Sequence, residues 1–341
     1  MAIRVAVIGA GRAGLVHAVN YRDHVPGAQL VALIDTDAAA CDRAAGELGA
    51  VRTYTSVSDA LAAGGIDAVV ITTPTFTHAP IVAEAAAAGV HVFCEKPMAL
   101  NLAEAEAMTA AAARAGIKLQ IGFMRRYDPV FRAAREAIVR GDIGRVMQVK
   151  STGRGPGLPP RWAWNVAESN GMLAEVQSHD FDSVRWLAGA EYARVYAEVA
   201  ALKATHVLES FADFYDNAAV VGRLSNGALV LIDGACPVDY GYDARVEVLG
   251  SEGMLVVGET AMESVVITTK QGGVRRSAYP SWRDRFRSAY IEEARAFVRS
   301  IRENQPPSPG GEDGIEAVRV VLAAMESVRA GRPVQVAEVA R

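Results

Sequence analysis

Cysteine is sparse. Cys41, Cys94 and Cys236 are the only three in 341 residues. An odd number at wide spacing excludes a disulfide framework and points to a reducing compartment, so a cytoplasmic location is expected. Lysine is scarce too: five of the 35 basic residues are Lys96, Lys118, Lys150, Lys203 and Lys270, and the rest are arginine. Lysine can give up its proton in suitable surroundings and arginine cannot, so each lysine is worth placing. No apolar run approaches ~18 residues, which excludes a membrane-spanning helix. The balance of 35 basic to 39 acidic residues, net −4 with no long basic run, leaves no electrostatic footprint for nucleic acid. The sequence runs from Met1 almost directly into a glycine motif, so no signal peptide is expected.

What remains is an ordinary globular composition, 51% hydrophobic and 22% charged, which excludes disorder. At ~150 residues per domain the length implies two domains, each able to bury a core. The first 122 residues alternate short apolar runs (Ile3–Ile8, Leu30–Ile34, Ala68–Ile71, Val90–Cys94, Ile117–Ile121, and a weaker one near Val51–Tyr54) with Ala-rich helical segments. The runs are continuous, as in parallel strands covered on both faces, so an α/β fold with a doubly wound Rossmann sheet is expected. Asn101 with Glu104 reads as a helix cap and Gly116 as its stop.

Beyond residue 122 the pattern changes. A helix is expected from about Pro129 to Arg140 and a strand over Val146–Thr152, followed by a loop at Gly153–Pro160, which holds three Gly and three Pro. The runs Ala193–Ala201, Ala218–Leu224, Ala228–Ala235, Ala244–Leu249, Met254–Val257 and Ser264–Thr269 have turn signals between them, such as Asn226-Gly227, and no long helices. They imply a second, α+β domain (123–341) built on a large open, mainly antiparallel sheet. Two helices, near Asp284–Glu303 and Gly314–Arg329, close the chain.

Gly9-Ala10-Gly11-Arg12-Ala13-Gly14 follows the first strand and opens a helix. The glycines permit a tight turn, close approach of a pyrophosphate, and helix–strand packing, while the helix N-terminus donates N–H groups to the phosphates. Asp35 ends the second strand, where a carboxylate can bond both ribose hydroxyls and would repel a 2′-phosphate. NAD is therefore favoured over NADP. Thr72-Thr73-Pro74-Thr75-Phe76-Thr77-His78 follows the fourth strand at the edge that lines the ligand crevice. Thr73 and Pro74 are placed against the cofactor, Thr77 reads as an N-cap, and His78 is left open. Cys94-Glu95-Lys96-Pro97 sits on the same edge. Lys96 there either bonds a substrate hydroxyl and assists proton transfer or makes a plain loop ion pair with Glu95. In the second domain, Glu175 and His179 would sit at i and i+4 on one face of a helix, a pairing that suits a general base; the alternative is a solvated polar face. One Glu and one His cannot fill a zinc site, and no metal is expected.

These motifs together resemble the Gfo/Idh/MocA family, which includes glucose–fructose oxidoreductase and inositol dehydrogenase. The resemblance spans nearly the whole chain. It runs through the glycine turn, Thr-Pro-Thr-Phe-Thr-His, Glu95-Lys96-Pro97, Gly122-Phe123-Met124-Arg125-Arg126-Tyr127-Asp128, Glu175…His179-Asp180-Phe181-Asp182, Tyr240-Gly241-Tyr242-Asp243 and Asp313-Gly314. The Gly-Phe-Met-Arg-Arg-Tyr-Asp run tilts it towards inositol dehydrogenases. It implies an NAD(P)-dependent dehydrogenase of cyclitols or sugars, with Lys96 as the family lysine and His179 as general base. Gly9, Gly11, Arg12, Ala13, Gly14, Asp35, Thr73, Pro74, His78, Glu95 and Lys96 would then bind cofactor, and Lys96, Met124, Glu175, His179 and Tyr240 substrate. Inositol dehydrogenases carry aspartate where this chain has Glu175, which leaves the identity of the polyol open. Arg161, Trp162 and Trp164 fall in a loop that varies with substrate in the family, although tryptophans there also serve packing. Aldose or aminocyclitol dehydrogenases, redox-assisted glycosidases and sugar-responsive regulators are the alternatives within the family. The open sheet face is expected to be buried in a homodimer or homotetramer.

Overall fold

The computed structural model describes residues 1–49, 51–262, 267–269 and 273–339. The first part of the chain runs β1 (Ile3–Ile8), α1 (Arg12–Asp23), β2 (Ala28–Ile34), α2 (Ala38–Leu48), β3 (Arg52–Tyr54), α3 (Val57–Ala62), β4 (Ala68–Ile71), α4 (His78–Ala87), β5 (His91–Glu95), α5 (Leu102–Ala115) and β6 (Leu119–Gly122). The six strands form one parallel sheet in the order β3-β2-β1-β4-β5-β6. Both faces are covered, which is why Val5–Ile8, Ala68–Ile71 and Val92–Cys94 are buried without alternation. The helices start where short polar side chains accept free N–H groups: Asp37 from Ala39 at 2.9 Å, and Asn101 from Glu104 at 2.9 Å. Gly116 ends α5 in the left-handed conformation (φ 67°), as expected. Thr77 departs from expectation. It makes no cap bond to α4, because its hydroxyl instead joins the Thr73 hydroxyl (2.6 Å) and the Pro74 carbonyl (2.7 Å).

The remainder runs α6 (Pro129–Arg140), β7 (Val146–Arg154), α7 (Val166–Ser169), α8 (Gly171–Glu175), α9 (Ser178–Ala188), β8 (Tyr192–Ala200), β9 (Asn217–Leu224), β10 (Leu229–Ala235), β11 (Asp243–Gly250), β12 (Met254–Val257), β13 (Ile267–Thr269), β14 (Gly273–Arg275), α10 (Trp282–Arg285), α11 (Arg287–Arg302), α12 (Gly311–Ala330) and β15 (Val334–Gln335). Ser264–Val266, expected to begin a strand, lie outside the described residues. A seven-stranded sheet has the order β12-β11-β7-β10-β9-β8-β15. Every pairing in it is antiparallel except β7 with β10. Those two run parallel because the chain leaves β7 through three helices and two further strands before β10 returns beside it. Strand β7 continues to Arg154, into the expected loop, since Gly153 lets the strand pass close under α9.

The chain folds as two compact units. One comprises residues 1–127 with 288–318, and the other 128–287 with 319–340. This departs from the expected division at residue 122, and α11 supplies the reason. Its Ala294, Phe297 and Val298 join Val5, Val7, Leu33 and Phe93 in the core of the first unit, with the Phe93 and Phe297 rings 5.9 Å apart. That unit therefore needs a segment from late in the chain to close its sheet face.

Candidate active site

The glycine turn is built against the end of β4. Gly9 sits at φ +101°, and a Cβ there would meet Thr72 Oγ1 at 2.7 Å; a Cβ on Gly14 would overlap the Gly9 carbonyl oxygen at 1.8 Å. A Cβ on Gly11 would meet nothing within 4 Å, so space is left open over the middle glycine. Gly11 also occupies the N-cap of α1 with no side chain to take its first N–H groups. Arg12 is exposed at the first helical position, and Ala13 is partly exposed beside it. Asp35 Oδ2 accepts from Ala10 N at 2.7 Å and Oδ1 from Asp37 N at 2.9 Å, which fixes the carboxylate beside the turn. Open space, unclaimed helix N–H groups and a fixed carboxylate are the features a dinucleotide requires, and these residues fit one. Thr72 was not singled out in the sequence, yet its hydroxyl lies 3.0 Å from both the Ile8 and Gly9 carbonyls.

The next edge joins Thr73, His78 and the Lys96-Pro97 step. His78 is buried, with Nδ1 3.0 Å from the Pro97 carbonyl and Nε2 2.9 Å from the Thr73 carbonyl. Burial lowers its pKa, and a neutral ring can donate to only one of those two carbonyls. His78 thus braces the Thr73-Pro74 loop to the Pro97 backbone. The Glu95 side chain turns inward, to His17 at 2.8 Å and to the Lys96 backbone N–H at 3.1 Å. Met124 is buried in a short 3₁₀ turn.

In the second unit the Glu175–His179 region differs from the expected continuous helix. Glu175 ends α8 and His179 is the second residue of α9. Between them the Gln177 N–H bonds the Met172 carbonyl five residues back, so the i→i−4 ladder slips. The buried Gln177 side chain lies over Gly234 of β10, so close that a Cβ there would meet Nε2 at 1.5 Å. Glu175 is partly exposed and His179 nearly buried, with the His179 carbonyl accepting from Ser183 Oγ at 2.7 Å. Asp180 anchors α9 to the sheet by accepting from Ser151 Oγ at 2.6 Å. Tyr240 is exposed; its hydroxyl donates to Asp243 at 2.9 Å and accepts from Arg154 at 3.1 Å, and Arg154 also pairs with Asp233 at 2.6 Å. Trp164 packs edge-on against Phe211 and Phe214 and donates to the Pro159 carbonyl, so its role here is packing.

Residues 3–123 match the oxidoreductase family model for an NAD-binding Rossmann fold, and residues 135–336 match the model for the C-terminal alpha/beta domain of the same family. The chain belongs to the Gfo/Idh/MocA oxidoreductase family. Among its Gfo/Idh/MocA relatives, the myo-inositol 2-dehydrogenase of Thermotoga maritima is 34% identical, with 99% of each chain aligned. The inositol 2-dehydrogenase of Rhizobium meliloti is 36% identical over 99% of this chain and 100% of its own. The scyllo-inositol dehydrogenase of Lactobacillus casei, solved with bound NAD(H) and scyllo-inositol, superposes with a TM-score of 0.92 at 30% identity, covering 99% of this chain and 100% of that one.

Proposed function

We propose that this Gfo/Idh/MocA protein is an NAD-dependent dehydrogenase that reversibly oxidises one secondary hydroxyl of a cyclitol to a ketone. The observation that carries the reading is the cradle of Gly9, Gly11, Gly14 and Asp35, present together with Lys96 and with Glu175 and His179 in a chain whose full-length relatives are named for that activity. Arg12, Ala13, Thr73 and Pro74 complete the cofactor side. His78 and Glu95, whose side chains face inward, contribute by holding backbone. When bound, NAD supplies the acceptor for the hydride that leaves the carbinol carbon. His179 takes the hydroxyl proton, and the O–H electron pair becomes the second bond of the ketone. Lys96 stabilises the negative charge developing on that oxygen. Glu175, Met124 and Tyr240 contact the ring and its other hydroxyls. The Asp35 carboxylate, beside the turn, favours NAD over NADP because a 2′-phosphate would meet it as a like charge.

Two further assignments belong to this reading. All three cysteines are unpaired and buried, in keeping with a cytoplasmic protein. The face of the seven-stranded sheet away from α9 bears Val221 (54% exposed), Met254 (53%) and Val256 (60%), with Leu229, Leu231 and Leu249 among them. Exposed apolar side chains spread across one sheet face support a homodimer or homotetramer formed through it. Light scattering tests this, and a monomer at micromolar concentration would remove it.

The activity is tested by absorbance at 340 nm with NAD and then NADP across inositol isomers, aldoses and aminocyclitols. Turnover of one inositol isomer with NAD is expected. Turnover of aldoses alone would keep the chemistry and replace the substrate, and NAD binding with no turnover across the panel would count against a dehydrogenase.

A further inference from the structure

Directly behind the Glu95-Lys96 step, the first unit encloses polar groups that the reaction described above does not use. His17, on α1, is fully buried, and its Nε2 lies 2.8 Å from Glu95 Oε1. The other oxygen, Oε2, accepts the Lys96 backbone N–H at 3.1 Å. Glu293, on α11, is also fully buried, and neither of its carboxyl oxygens has a hydrogen-bond partner. One ligand atom from each of His17, Glu95 and Glu293 lies within 4.8 Å of the other two. Gln120, on β6, donates its amide to the Glu293 carbonyl at 3.1 Å. Gly122 leaves room for the arrangement, since a Cβ there would stand 2.9 Å from Glu95 Oε2. Placing this much polar surface inside a unit is costly, and an apolar core would be cheaper. The stability of the fold therefore does not account for it.

We propose that Glu95 is a positioning residue for Lys96, held from behind by His17 with Glu293 closing the far side of the cluster, and that this lock sets the orientation of the lysine. The inference rests on the role given to Lys96 above. Two carboxyl groups so close in a buried site cannot both ionise cheaply. Burial first, and Glu95 second, push Glu293 well above the usual carboxyl range, so Glu293 keeps its proton. Glu95 Oε2 accepts the Lys96 N–H while Oε1 faces His17 Nε2, so one carboxyl group ties the lysine backbone to α1. Among the described residues, the other groups facing the cluster are the buried Cys94 thiol and His78 ring, both of which feel Glu95, together with phenols and aromatic rings. Tyr21 is held neutral by burial, with Tyr127 near it; Tyr290 and Phe93 pack on the His17 ring at 5.6 and 5.1 Å. The residue whose side chain bonds the backbone of the lysine is thus held between His17 and the protonated Glu293.

The test compares Glu95→Gln, His17→Gln and Lys96→Ala in the full-length protein with two readouts. One is kcat and KM with NAD and the inositol isomer turned over. The other needs neither cofactor nor substrate: the rate at which acetic anhydride acylates Lys96, relative to exposed Lys150, read by peptide mass spectrometry. Glu95→Gln is expected to lower kcat roughly tenfold with KM for NAD little changed, and to change the rate of Lys96 acylation by at least roughly threefold, because the lysine is no longer held in one orientation. His17→Gln is expected to move both the same way by less, and it carries the test if Glu95→Gln does not fold. Unchanged acylation in both variants, whether kcat holds or falls along with melting temperature, would overturn the lock. Full activity in Lys96→Ala would instead remove the lysine from the reaction, a separate failure. A stoichiometric metal ion whose removal by chelator also removes activity would reassign the three groups as ligands and overturn the proposal.

Discussion

Asp35 Oδ2 accepts the Ala10 N–H at 2.7 Å, so the carboxylate set to meet a ribose also clamps the glycine turn that would hold the pyrophosphate. Asp35→Ala removes both functions at once. It is expected to weaken NAD binding at least about tenfold, to narrow the preference over NADP, and to cost roughly 1 kcal/mol of stability from the lost hydrogen bond. Fluorescence titration with each dinucleotide and a urea melt would measure these. Equal affinity of the wild type for both dinucleotides would remove the role given to Asp35.

His179 and the glycine turn belong to different units. His179→Ala is therefore expected to reduce kcat by about 10²–10⁴-fold while leaving the dissociation constant for NAD near its original value. Loss of NAD binding in this variant would point to a structural role for the imidazole.

Packing under α9 gives a stability test. A Cβ on Gly153 would lie 2.1 Å from Asp180 Oδ2, whereas one on Gly157 would meet nothing within 4 Å. Gly153→Ala is expected to cost about 1–3 kcal/mol, as overpacking does, and to lower kcat by shifting the helix that carries His179. Gly157→Ala serves as the control. Similar denaturation midpoints for the two would show that Asp180 yields easily.

Stability should also fall in acid, for two reasons with the same sign. Burial lowers the His78 pKa from 6.5, so the native state resists the proton that the unfolded chain accepts. That contribution is complete above about pH 6.5 and is lost as pH falls below it. Asp216 is pulled below its usual 3.8 against an opposing burial effect, by the N–H groups of Leu202, Ala204 and Lys203 and the Asn217 amide. Its contribution is present above about pH 4 and lost below. His78→Gln is expected to flatten the first part of the acid limb in urea melts from pH 7 to 5, and Asp216→Asn the part below pH 4. Coincident curves for wild type and variants would contradict both assignments.

The Rossmann half was legible because each determinant is local: unbroken apolar runs, Asn101 three residues before Glu104, and glycines at the turn and helix stop. The second sheet was legible in six of its seven strands and in Asn226-Gly227, whereas β15 was not, and the run ending at Thr269 pairs with β14 in a sheet of its own. The parallel pairing of β7 with β10 was not, since it depends on how the chain returns rather than on either strand. The break between Glu175 and His179 escaped for a similar reason. Ala174-Glu175-Val176-Gln177-Ser178 contains no Gly or Pro, and the slip accompanies packing of Gln177 on Gly234, a glycine distant in sequence. His17 and Glu293 read as ordinary helix residues until the fold brings them to Glu95.

The closing role of α11 bears on how the protein is made. When residue 127 leaves the ribosome, the face that Ala294, Phe297 and Val298 will cover against Val5, Val7 and Phe93 has no lid. At ~5–20 residues per second, the covering helix arrives only after roughly ten to thirty seconds more of translation. The nascent dinucleotide domain therefore spends that interval as an unfinished body with a greasy flank, while the other unit emerges behind it. A gene truncated after the Rossmann segment should yield an aggregating fragment, and one that appends residues 288–318 to that segment by a short linker should yield a soluble domain.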